Sequence, residues 1–310
     1  MTQTSSIPLS DLELSAAMRE ALPYDEKRLD RVLRVDERYG LVEVQASTPW
    51  KTIAASLGDP RADTVRTLLP AVGESVSANI PGPDGRPAIS HVESITLVTP
   101  GGELRRASRT ANRELFALVA GGHGLFGALY SVTLDMASLR RTVNAVAATA
   151  TPSPGERPNA SWPLRLLLPP ETVDAFLAEA RSHCENWRLP LIGVRVRRTH
   201  EDKDSFLRWA RREYAAVTLH LAAPPVLGVA VRTTQLRRDL LDAAIARGGS
   251  FPVWCVFDAT RAQVEACYPQ LRNFLAEKRR VDPTEKLTNA WYRHYRNLFG
   301  RRACEVRFAS

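Results

Sequence analysis

NRELFALVAGGHGLFGALYSVTL, residues 112–134, carries three local instructions in succession. Asn112 to Val119 reads as a short helix. Gly121-Gly122-His123-Gly124-Leu125-Phe126-Gly127 is a glycine-rich turn. Ala128 to Leu134 alternates apolar and polar side chains, the period of a half-buried strand. A helix that breaks on glycines straight into a strand is an α/β junction, and the flanking sequence extends it. Upstream, Val92 to Val98 reads as a strand closed by the turn Thr99-Pro100-Gly101-Gly102. Further back, Leu29 to Gln45 alternates on both sides of Asp36–Gly40, which predicts a β-hairpin. Trp50 to Leu57 follows as a short helix. Leu69 to Pro87, rich in Gly, Pro, Ser and Asn, reads as turns and loop.

Downstream, the Pro-rich stretch Thr151 to Pro158 separates this part from a second series of elements. There the pattern predicts strands at Leu164–Leu168, Leu191–Arg198 and Ala216–Leu221. It predicts helices from Pro169 to about Asn186, over Lys203–Tyr214 and over Val229–Arg247. Arg261 to Phe299 reads as mostly helical, broken at Asp282-Pro283. Helices interleaved with strands in this order imply an α+β fold with helices covering one face of a sheet. The apolar faces of Phe206–Tyr214 and Leu236–Ile245 are read as core.

Composition narrows the function classes. The 310 residues are 44 % apolar and 25 % charged, ordinary for a globular protein. No apolar run approaches the roughly 20 residues that span a bilayer. The N-terminal stretch lacks the basic and apolar regions of a signal peptide, so a cytoplasmic location is expected. The net charge of +8 comes from arginine pairs spread along the whole chain. With no recognition motif beside them, nucleic acid is disfavoured as a partner. Cys184, Cys255, Cys267 and Cys304 are scattered, and no His or Cys spacing matches a metal site.

Four segments, taken in order, resemble the FAD-binding domain of the vanillyl-alcohol oxidase superfamily, the PCMH type. They are Val42–Trp50, Val72-Gly73-Glu74-Ser75-Val76-Ser77-Ala78-Asn79-Ile80-Pro81-Gly82, Val92–Gly102 and Asn112–Gly127. Either glycine cluster alone is weak; their order and spacing over about a hundred residues is specific. Ser205–Ala210, Gly248–Phe251, Tyr268-Pro269-Gln270, Phe274–Pro283 and Trp291–Tyr295 are similar to the sugar-oxidising branch, which holds aldonolactone oxidases and decaprenylphosphoryl-ribose oxidase. The resemblance implies a truncated FAD-binding-type lobe over 1–140, an α+β cap or substrate lobe with an antiparallel sheet over 141–270, and a tail, 271–310, returning to the first lobe.

It also implies roles. Gly73, Ser75, Asn79, Gly82, Gly121, Gly122, Gly124 and Gly127 match the family's flavin-contacting or turn-forming positions, because a Cβ would block close approach of backbone amides to a cofactor. The plain alternative is that they are turn glycines. Lys286 and Asn289 lie where the family tail approaches the flavin. His123 and His294 are the candidate bases. Cys255 stands near the position of a flavin-facing polar residue, although its apolar neighbours argue against a nucleophile.

Three departures bear on the cofactor. The family's N-terminal loop that wraps the FAD pyrophosphate needs glycine, and the 28 residues before Leu29 contain neither glycine nor histidine. Glu74 stands where a second glycine is usual, and a carboxylate repels pyrophosphate. Pro81 replaces a loop histidine. Two expectations follow. One is an FAD-dependent oxidoreductase acting on an alcohol carbon of a sugar-like small molecule, with a protein partner supplying the missing flavin-binding element. The other is a flavin-free family member that binds a ligand or partner, or that reuses the old cleft for a non-redox reaction.

Overall fold

The computed structural model describes residues 9–58, 71–82, 84–141, 161–222, 228–254 and 258–300. The side chains of residues 161 and 162 lie outside this set, as does Cys255. Helix α1 spans Asp11–Glu20. It begins at a capping box in which Ser10 and Glu13 satisfy each other's backbone N–H groups, and ends on Ala21 in the left-handed region. Leu14 and Met18 pack with Leu9, Leu29, Val98 and Ala128 into a small core of their own.

Strands β1 (Val32–Asp36) and β2 (Leu41–Gln45) form the expected hairpin, with Val35 opposite Val42. Helix α2 is Trp50–Ser56 and helix α3 is Val72–Ala78. Strands β3 (Val92–Val98) and β4 (Leu104–Ser108) precede helix α4 (Arg113–Val119) and strand β5 (Ala128–Asp135). The five strands make one antiparallel sheet in the order β1-β2-β5-β3-β4. β5 sits at its centre: Val132 faces Val44 on one side and Ile95 on the other. All three are fully buried, and β5 is covered on both faces: its alternating polar residues Ser131 and Thr133 are buried as well.

The second sheet has three antiparallel strands, β6 (Ser161–Leu168), β7 (Leu191–Thr199) and β8 (Tyr214–Ala222), in the order β6-β8-β7. Helices α5 (Val173–Trp187) and α6 (Val229–Ala246) pack on each other. They bury Phe176, Ala180, Leu236 and Leu240 in the same core as Leu164, Leu166, Val217 and Leu219. Helices α7 (Arg261–Cys267), α8 (Leu271–Val281) and α9 (Ala290–Gly300) complete the chain. The architecture is α+β with antiparallel sheets, and the described residues form no closed barrel.

Two sequence expectations are corrected. Residues 72–78 lie inside the predicted loop and are helical. Val72 and Val76, one turn apart, are both buried, and the Gly73 amide docks on the Ala46 carbonyl at 2.7 Å, so tertiary packing overrides a loop-like composition. Conversely, Lys203–Tyr214 is irregular until β8 begins. The apolar spacing there is used by an irregular chain in which Leu207, Trp209 and Ala210 are buried. Asp202 organises that chain by accepting from the backbone N–H groups of Asp204 and Ser205 at 3.2 and 3.1 Å, the local bond that competes with helix. The 203–210 segment is pinned to the first sheet's helices: the Phe206 amide donates to Ala117 and the Trp209 indole to the Asn79 carbonyl.

Candidate functional site

A cleft of about 440 Å³ opens where three distant stretches of chain meet. Gly73, Glu74 and Ser77 come from α3. His123, Gly124, Leu125 and Gly127 come from the glycine turn. Leu287, Thr288 and Asn289 come from the segment before α9. Tyr24, Glu26, Leu29, Ala46 and Ser47 close the remaining side. The volume lies in the range of small-molecule sites.

The glycine turn is shaped from within. At Gly122 a Cβ would lie 2.0 Å from the Leu118 carbonyl oxygen, and at Gly127 it would lie 2.6 Å from that of Val98. At Gly73 it would meet Ala46 at 2.7 Å. Internal packing alone therefore requires glycine at these three positions. Gly124 differs: its φ is +73° and nothing lies within 4 Å of the missing Cβ, so its backbone faces open space.

His123 is itself in the left-handed region, at φ 53°. Its N–H donates to Ser77 at 2.8 Å, and its carbonyl accepts from the Asn289 side chain at 2.9 Å. The ring stacks on Trp291, with centroids 4.6 Å apart. Burial pushes the imidazole down to about 4, so it is neutral at physiological pH. Its Nε2 is buried without a hydrogen-bond partner. Asn289 also caps α9 by accepting from the Tyr292 amide at 2.8 Å. One side chain thus ties the tail to the turn and starts the helix behind it.

The other sequence-derived candidates stand elsewhere. Ser75 is buried and accepts from the Trp50 indole at 3.4 Å. Asn79 is fully buried, donates to Asp202 at 2.9 Å and accepts from the Ile89 amide at 3.1 Å. Gly121 packs against Asn79, and Gly82 forms a turn with Arg86. Lys286 turns its ammonium onto the carbonyl oxygens of Met18, Arg19 and Pro100, closing the end of α1. His294 lies on α9 against Tyr295, with burial lowering its pKa against the pull of Asp258. Cys184 and Cys267 are buried thiols whose pKa values burial raises. Among the described residues no group of three or more His, Cys, Asp or Glu side chains could hold a metal ion. Nor is any described helix long and apolar enough to cross a membrane.

Tyr24, Glu26, Ser47 and Thr288 were not read as site residues. Ser47 lies within the Val42–Trp50 segment of the resemblance without a role assigned to it; no motif marks the other three, and only the tertiary fold brings them to the cleft. Their chemistry is distinctive. Glu26 and Glu74 are exposed carboxylates, and among the described lining residues there is no Lys or Arg. Tyr24 donates weakly to Glu26 at 3.4 Å, and burial raises its pKa well above the ordinary phenol value.

Fold and cleft together define a class: an α+β protein with a ligand-sized cleft built on a glycine turn and closed by its own C-terminal segment. No protein-family model matches the chain. Over an alignment of 128 positions that covers 38 % of it, this chain is 30 % identical to a protein of Rhodococcoides fascians described as an uncharacterized oxidoreductase, ORF5 in the fasciation locus. The match covers 28 % of that protein's length.

Proposed function

We propose that this chain is an oxidoreductase that acts on an alcohol carbon of a small, sugar-like molecule, with the cleft holding a planar ring of the flavin kind. The observation that carries the reading is convergence. Gly73, His123, Gly124, Gly127 and Asn289, drawn from three separated motifs of the resemblance, line one cleft. The similarity to the Rhodococcoides fascians oxidoreductase supports the same reaction class.

The lining fits the cofactor unevenly. Leu29, Leu125, Leu129 and Leu287 offer apolar walls for a flat ring, and Ser47, Ser77, Thr288 and Asn289 offer polar atoms for its edge. The pyrophosphate of FAD does not fit the described lining, which presents two carboxylates and no cation. A flavin would supply the redox chemistry; this chain supplies orientation and exclusion of water. His123, kept neutral by burial, is a weak base, and its ring stacked on Trp291 fixes the turn that borders the cleft.

The test is an absorption spectrum of the purified protein with added FAD and, separately, added riboflavin. Flavin bands that co-elute with the protein support the proposal. A protein that takes up neither ring sinks it. That outcome would favour a second reading, a flavin-free ligand-binding protein, which the carboxylates of Glu26 and Glu74 already make reasonable.

A further inference from the structure

We infer that the cleft selects its ring by charge: it takes the uncharged flavin ring, as in riboflavin, in preference to the phosphorylated forms, and Glu26 and Glu74 are the specificity-determining residues. This rests on the reading that the cleft holds a flavin ring, and it adds which chemical form is bound.

Three independent observations converge. The first is the charge of the lining. The chain carries a net +8, yet the described residues around this cleft include two carboxylates and no cation. A cleft of about 440 Å³ is only ~10 Å across, comparable with the Debye length of about 8 Å at physiological salt. An anion inside therefore lies within about a Debye length of a lining carboxylate, where the repulsion is attenuated but still felt.

The second is the state of the backbone. Phosphate is held in loops by free N–H groups pointing at it. Here the amides of Gly73, His123 and Leu125, which border the cleft, already donate to Ala46, Ser77 and Gly122 at 2.7, 2.8 and 3.0 Å, and of the turn residues lining the cleft Gly124 alone has open space beside it, too little for a nest of N–H groups. The third is Lys286, the cation of the sequence-derived set. Lys286 adjoins the lining residue Leu287, but its ammonium is committed to three carbonyl oxygens at the end of α1.

What the cleft does offer suits a neutral heterocycle. Its walls are leucines, and its uncharged polar atoms are hydroxyls and an amide.

The experiment titrates riboflavin, FMN and FAD into the full chain and into the E26Q/E74Q variant, following flavin fluorescence. Both glutamates are exposed, so the variant keeps its fold, which a thermal melt checks. In the wild type, riboflavin should bind at least about tenfold tighter than FMN or FAD. In the variant, the two phosphorylated forms should gain about tenfold relative to riboflavin, closing the gap between them. FAD binding as tightly as riboflavin to the wild type overturns the inference and leaves the proposed function standing. So does FMN binding like riboflavin with FAD alone excluded, because that would be bulk and not charge. A preference that survives E26Q/E74Q overturns the role of the two residues. Failure of all three flavins to bind overturns this inference and the functional reading together.

Discussion

The imidazole of His123 lies on the indole of Trp291, with ring centroids 4.6 Å apart and planes 24° apart. The contact joins a glycine turn to a helix 168 positions later in the chain. Trp291 is in turn anchored by its indole N–H on the Val253 carbonyl and by contact with Tyr295 and Phe274. The turn at the cleft is therefore set by the C-terminal helices, and a charge on His123 would be felt through that stack.

Burial takes His123 from its ordinary 6.5 to about 4. The unfolded chain consequently binds a proton between those values that the folded chain does not. Stability is complete above pH 6.5 and falls as pH drops toward 4. The contribution of this one group is on the order of 3 kcal/mol. Urea unfolding at pH 7 and pH 4.5 should show the loss in wild type, and His123→Gln should flatten the slope even though it is less stable at pH 7. An unchanged slope in the variant would show that other groups set the acid sensitivity.

The two central glycines of the turn should respond differently to alanine. At Gly122 the added Cβ collides with the Leu118 carbonyl at 2.0 Å, so Gly122→Ala should lose more than about 3 kcal/mol or fail to fold. At Gly124 the space is open and only the left-handed backbone is penalised, by about 1–2 kcal/mol. Gly124→Ala should fold and should weaken ring binding in the cleft. Equal effects on folding would show that Gly124 is constrained by packing too.

Asn79 joins the two sheets' territories. It is fully buried at φ 50°, bonded to Asp202 and to the Ile89 amide, and its carbonyl accepts the Trp209 indole. Asn79→Ala removes two buried hydrogen bonds and keeps a left-handed residue with a Cβ, a loss of about 3 kcal/mol. Asn79→Gly removes the same bonds and relieves the backbone, so it should be about 1 kcal/mol more stable than the alanine variant. Chemical denaturation of the pair separates the hydrogen-bond loss from the backbone loss. The reverse order would mean that the left-handed geometry is unstrained.

Much of the framework was readable because burial imposes a period. The hairpin of β1 and β2, the strands β3 and β5 and the long helix α6 follow alternation or helical spacing. Residues 72–78 were misread because Gly73, Ser75, Ser77 and Asn79 look like a loop, while the Gly73–Ala46 contact that stabilises the helix is tertiary. The 203–214 stretch was misread for the opposite reason: helix-like apolar spacing is satisfied there by an irregular chain wedged between the sheets. At the cleft, Gly124, His123 and Asn289 stood out through a motif resemblance. Glu26 and Tyr24 did not, because the fold alone brings residues 24–29 against the glycine turn.

The last prediction concerns the segment that delivers Leu287, Thr288 and Asn289 to the cleft. Lys278 and Asp282 form an ion pair one helical turn apart, both fully buried. The Asp282 carboxylate also accepts from the amides of Lys286 at 3.0 Å and Leu287 at 2.9 Å, so the pair holds the turn after α8 in place. Burial works against the Asp282 charge, but bonds from Lys278 and from these amides win and keep its pKa below 3.8. Its stabilisation is thus present above that value and lost as pH falls through the lower folded value. Lys278→Met leaves the carboxylate buried without its counter-charge, which should remove about 3–5 kcal/mol near neutrality. Burial then dominates and raises the Asp282 pKa above 3.8, so the folded variant binds the extra proton. Between pH 4 and 6 the difference in stability between wild type and Lys278→Met should therefore widen as pH rises. A difference that is flat or narrows over that window would show that the two backbone amides alone hold the carboxylate ionised, with Lys278 contributing packing against Tyr292 and not charge.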